Sequence, residues 1–132
     1  NNILLPGKSI NMGNGWETRR RRGKGFDWAI IKLGHISFIE SFEVCTHHFK
    51  GNFPESFSIQ ALYNLNNINI NSLLKKNQKW VTLVSKSKLR ANTTLTIKNK
   101  QSLIQRFNYI KLNIFPDGGI SRFRVFGKIA TK

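Results

Sequence analysis

At 132 residues, 39% of them hydrophobic, the chain has the length of one domain and enough apolar side chains for a core. Twenty-two Lys and Arg against six Asp and Glu leave a formal charge of +16, a field that attracts anions: nucleic acid, an acidic partner or a small anionic substrate. One cysteine, Cys45, excludes an internal disulfide and a Cys-based zinc site, and no apolar run is long enough to span a bilayer. A reducing, cytoplasmic setting without membrane is the expectation. The lysines scattered over 75–100 fit a compositional bias that inflates Lys, Asn and Ile together.

Residues 1–10 show no periodicity beyond the apolar patch Ile3–Leu5 and read as a linker or extension, leaving 11–132 as a single domain. Gly13-Asn14-Gly15 permits a tight turn and opens the loop Met12–Asp27, which carries four consecutive arginines, Arg19–Arg22. Trp28–Leu33 is apolar except at Lys32 and fits a strand covered on both faces. A second strand is expected within Ile36–Thr46, with Phe42, Val44 and Thr46 on one face and Glu43, Cys45 and His47 on the other. Ile39 breaks that alternation, which predicts a turn or bulge near Glu40. Lys50–Glu55 reads as a loop, turned at Gly51-Asn52 and barred from a ladder by Pro54.

Phe57–Leu62 alternates again, with Phe57, Ile59 and Ala61 inward. The Asn-rich stretch at about 64–78 reads as an insertion loop with one helical turn at Ser72–Lys76. Strands are expected at Trp80–Val84 and Thr93–Ile97. Phe107–Ile114 and Ile120–Phe126 flank Phe115-Pro116-Asp117-Gly118-Gly119, turn chemistry that predicts a hairpin with Lys111, Asn113, Arg122 and Arg124 on one face. About six to eight short strands without a long helix indicate an all-β sandwich.

GNGWETRRRRG at Gly13–Gly23 and DWAIIKLG at Asp27–Gly34 resemble the allantoicase family. HHFKGNFPES at His47–Ser56, SIQA at Ser58–Ala61 and KLNIFPDGGISRFRVFG at Lys111–Gly127 extend the resemblance in order and spacing over most of the chain. It implies a galactose-binding-like jelly roll and a hydrolase of purine degradation that splits allantoate with water into ureidoglycolate and urea. Allantoicases carry two such repeats, and HFKGNFP resembles the second. The chain opens on Asn1, so a fragment is expected, paired with a second repeat or assembled as a homo-oligomer. Three positions depart from the family pattern: Cys45 stands for an Asp, Tyr109 for a His and Lys111 for an Arg.

The loop at Trp16-Glu17-Thr18-Arg19-Arg20 is the first candidate site. A guanidinium fork grips a carboxylate with two coplanar hydrogen bonds, and ureido N–H groups need an acceptor such as Glu17 or Asp27. The residues alone favour a solvated basic loop lidded by Trp16; the resemblance reverses that for Glu17 and Arg19, less so for Arg21 and Arg22. His47, continuing the face of Cys45, is the candidate proton carrier, with Lys50 a neutralising charge. Glu17 and His47 are therefore the expected catalytic pair, and Trp16, Arg19, Arg20, Asp27 and Lys50 the expected substrate contacts. Asp117 reads first as a turn acceptor, and Arg122 and Arg124 as outward strand residues. No His/Asp/Glu set has metal-ligand spacing, so the sequence names no metal ligand and no cofactor and leaves metal dependence open. The alternative function is a non-catalytic jelly-roll module that binds a ligand. Nucleic acid is disfavoured, because Trp16, Phe26 and Trp28 only flank the arginine run instead of interleaving with it.

Overall fold

A computed structural model describes residues 2–7, 11–19, 25–66, 68–101 and 103–130. Eight strands are found among them: β1 (Trp16–Glu17), β2 (Asp27–Cys45), β3 (Ser56–Leu62), β4 (Val81–Lys88), β5 (Thr94–Lys98), β6 (Arg106–Phe115), β7 (Gly119–Ile120) and β8 (Arg122–Ile129). All their pairings are antiparallel.

The two strands expected at Trp28–Leu33 and within Ile36–Thr46 are one continuous strand, β2. Its first part pairs with β6, which continues through β3 to β4. Its second part lies between β5 and β8. The inward residues of both groups meet in one cluster, including Phe42, Val44, Phe57, Ile59, Ile110, Leu112, Ile114 and Phe123. Phe42 of β2 and Phe123 of β8 stack within it, ring centroids 6.1 Å apart. The fold is an all-β sandwich, with β2 serving both layers.

The irregularity foreseen at Glu40 is present, as a register shift against β8 between Ile39 and Ser41. An extra residue leaves backbone carbonyls without ladder partners, and buried carbonyls demand them. Asn99 supplies both: its side-chain Nδ2 donates to the Ile39 carbonyl (2.9 Å) and its backbone N–H to the Glu40 carbonyl (2.8 Å). Asn99 is itself buried. Asn99→Ala should therefore cost about 1–3 kcal/mol, the penalty of an orphaned buried carbonyl, read as a lower midpoint in urea unfolding.

The sequence reading needs correction at the expected C-terminal hairpin. The strands on either side of Phe115–Gly119 do not pair with each other: β6 lies between β2 and β3, while β8 joins the second part of β2. After the turn, β7 pairs with β1, and Ser121 donates its backbone N–H (2.8 Å) and hydroxyl (3.0 Å) to the Cys45 carbonyl. Those bonds carry the chain across to the other layer. Lys111 and Arg122 consequently lie on different layers. Lys111 sits on the outer face of the first layer, its ammonium 5.8 Å from the Phe26 and Trp28 rings, and burial lowers its pKa.

The helical turn of the insertion lies at Ile70–Leu73, earlier than expected, because the Asn69 side chain accepts from the Ser72 N–H and fixes the start there. Residues 2–7, read from sequence as part of a linker, lie against β8, and Ile3 is buried in the main core.

Candidate active site

Glu17 is held by pairing. β1 lies beside β7, with Trp16 opposite Ile120 and Glu17 opposite Gly119. One residue on, Thr18 clamps the turn of the last motif: its N–H donates to the Gly118 carbonyl (3.0 Å), and its Oγ1 accepts from the Gly118 N–H (3.1 Å). A third segment closes on the same point. Gly119 donates its N–H to the Asn52 carbonyl (2.8 Å), and Asn52 Nδ2 donates to Glu17 Oε2 (2.5 Å).

This approach requires glycine. Gly118 has φ +131°, and a Cβ there would stand 2.6 Å from the Pro54 nitrogen and 2.8 Å from the Asn52 oxygen. A Cβ on Gly119 would fall inside the ring of Phe49, which is fully buried. The glycines let two loops touch backbone to backbone.

A cavity of about 380 Å³ opens among these segments, lined by Glu17, Thr18, Gly51, Asn52, Phe53, Asp117 and Gly118. Among the described residues its lining carries two carboxylates, Glu17 and Asp117, and no cation. It is a receptacle for N–H donors, with Glu17 oriented by the Asn52 amide.

The expected site residues divide. Trp16 is half-buried against the core and lines a second cavity, about 270 Å³, with Asn2, Ile3, Gly15 and Ala29. His47 lines a third, about 310 Å³, with Gly7, Glu43, Cys45, Thr94, Arg122 and Arg124. Glu17 and His47 thus face different cavities. Arg19 is exposed, beside Thr18 in the chain; Lys50 is exposed, beside Gly51; Asp27 is half-buried at the start of β2, opposite Ile114. Arg20, Arg21 and Arg22 lie outside the described residues. A further cavity of about 650 Å³, lined by Val44, Thr46, Lys88–Arg90 and Thr93–Leu95, has no residue of the motif segments among its described lining. Among the described residues no three His, Cys, Asp or Glu are grouped as a metal site, and no helix is long and apolar enough to cross a membrane.

Sequence reasoning missed Asn52 and undervalued Asp117. Both stand in quoted motifs, KGNFP and FPDGG, and their polar side chains beside glycine were the signal available. Arg122 does lie on the outward face of its strand, but it is 3% exposed, covered by Asn2 and Gly7, whose carbonyls accept its hydrogen bonds.

A sandwich with its loops gathered into a site at one end defines a galactose-binding-like jelly roll. An F5/8 type C domain from Bacteroides fragilis superposes with a TM-score of 0.61 at 14% identity, covering 92% of this chain and 78% of that one, a likeness of fold. The chain belongs to the allantoicase family: the family model for the allantoicase repeat matches residues 1–130. A probable allantoicase from Acinetobacter baumannii is 43% identical over 129 residues, which is 98% of this chain and 38% of that protein. A solved allantoicase structure superposes with a TM-score of 0.80 at 40% identity over 96% of this chain and 36% of its own. The chain thus spans well under half the length of the relatives it matches.

Proposed function

We propose that the cavity around Glu17 receives allantoate, and that the chain serves an allantoicase reaction in purine degradation, splitting allantoate with water into ureidoglycolate and urea. The observation that carries this reading is convergence. Glu17–Thr18, Gly51–Phe53 and Asp117–Gly118 come from three distant motif segments and line one cavity.

The chemistry of the lining suits the substrate. Allantoate offers ureido N–H donors and one carboxylate. Glu17 and Asp117 accept the N–H groups. Arg19 and Arg20, following Thr18 in the chain, grip the carboxylate, with Lys50 adding charge nearby. Trp16 and Asp27 bound the loop that carries these groups.

In the reaction one C–N bond at the central carbon breaks, water supplies hydroxyl to that carbon, and its proton goes to the departing urea nitrogen. A positioned carboxyl can carry such a proton. Charge facing the remaining ureido N–H stabilises the cationic character that develops as the bond opens. His47 lines another cavity, so in this reading the proton passes through the carboxyls of Glu17 and Asp117.

A cytoplasmic setting is supported by the single free cysteine, Cys45. Pairing with a second repeat is supported by relatives of which the chain covers 38%. The test is urea release from allantoate, assayed on this chain and on a protein of the relatives' full length that contains it. Urea from either supports the reading. Allantoate binding without urea in both leaves a ligand-binding module, and neither binding nor urea removes the proposal.

A further inference from the structure

The cavity that holds His47 has the opposite electrostatic character from the one that holds Glu17. Register builds it. Cys45 pairs with Arg122 and Glu43 with Arg124 across β2 and β8, while Cys45 pairs with Thr94 across β2 and β5. Residues opposite one another share a face, so two guanidinium groups rise beside His47 on the outer side of the second layer. Among the described residues the lining has two arginines against the single carboxylate of Glu43. That carboxylate forms no ion pair with Arg124 among the described residues.

Both arginines point donors at one place. Arg122 Nε and Arg124 Nη2 each lie 3.0 Å from the Gly7 carbonyl oxygen. Arg122 Nη1 also donates to the carbonyls of Asn2 (3.1 Å) and Ser121 (2.6 Å). Arg122 is therefore a buried cation anchored by backbone oxygens. Arg124 makes that one hydrogen bond among the described residues, leaving its other N–H groups to a ligand. On the opposite wall His47 Nε2 and Thr94 Oγ1 are 2.9 Å apart.

We propose that this cavity is a binding site for a small oxyanion, a carboxylate or a phosphate, separate from the Glu17 cavity. Guanidinium forks bind such groups through paired, charge-assisted hydrogen bonds, and the Gly7 oxygen already stands where two forks meet. The volume, about 310 Å³, has room for a small ion.

The experiment is a titration of the protein followed by amide NMR. Inorganic phosphate is one arm and acetate a second, with sodium chloride at matched ionic strength as the reference. The expected result is saturable shifts at Cys45, His47, Thr94 and Arg124 with phosphate or acetate. Saturation by one alone tells a tetrahedral from a planar ligand. Arg124→Ala should weaken binding by about tenfold or more, the effect of losing a charge-assisted hydrogen bond. Arg124→Lys keeps charge and stem but loses the fork. It should bind several-fold more weakly and serves if the alanine variant does not fold. Shifts that chloride reproduces, or binding unchanged in the folded variants, overturn the proposal.

Discussion

Glu17→Gln is expected to cut kcat for urea release by about 10²–10³-fold, the range seen when one preorganised electrostatic contact to a transition state is removed. The exchange keeps the shape of the side chain, and a glutamine oxygen can still accept the Asn52 Nδ2 bond that orients Glu17. In the proposed reaction, what disappears is the charge facing the ureido N–H groups together with a carboxyl that carries the proton. Those donors become stronger as the neighbouring C–N bond opens and positive character spreads over the ureido group. The loss should therefore fall mainly on kcat, with KM changing less. Glu17 is exposed at the cavity mouth, so thermal stability should stay close to the parent's. Urea release measured under saturating allantoate, on the protein shown active, decides the point. A kcat within fivefold of the parent would dismiss Glu17 as the contact and, with it, this cavity as the place of reaction.

The sequence carried the alternation of individual strands better than their partners. Glu43, Cys45 and His47 were legible as one face of a strand, because alternation depends only on the chain itself. That Arg122 and Arg124 stand on the same face was not legible, because it depends on which strand lies beside which. The same limit explains the misplaced hairpin. Phe-Pro-Asp-Gly-Gly specifies a turn, but two alternating runs around a turn pair only if no better edge is available. Here β2 is long enough to offer its first part to β6 and its second to β8. Glu40 was visible as an irregularity, whereas Asn99, which repairs it from 59 positions later, was not.

The candidate site follows this pattern. The residues of the Glu17 loop were visible as chemistry. Asn52 and Asp117 were visible only as turn formers, since their second role exists once three loops meet. The resemblance linked Glu17 and His47 through motif order, and motif order carries no distance. Each lies where its own strand puts it, one beside β7 and the other past the end of β2.

Gly118→Ala should lower stability by roughly 2–4 kcal/mol, combining strain at an unfavourable backbone conformation with a forced shift of packed backbone. Two independent effects act at this residue. Its φ of +131° is one that a side chain disfavours, and an added Cβ would meet the Pro54 nitrogen at 2.6 Å and the Phe53 carbonyl carbon at 2.8 Å. These are backbone atoms, so no rotamer change relieves the clash and the two loops must part. Parting them pulls Gly119 N–H from the Asn52 oxygen and disturbs the reciprocal Thr18–Gly118 bonds. The unfolding midpoint should fall on the order of 10 °C, from the usual relation between free energy and Tm in a chain of this size. Gly51→Ala is the matched control on the facing loop. It lines the same cavity, a Cβ there meets nothing within 4 Å, and its stability change should stay within about 0.5 kcal/mol. If calorimetry found the two variants equally stable, the backbone contact between the Asn52 and Asp117 loops would not be what holds Glu17 in place.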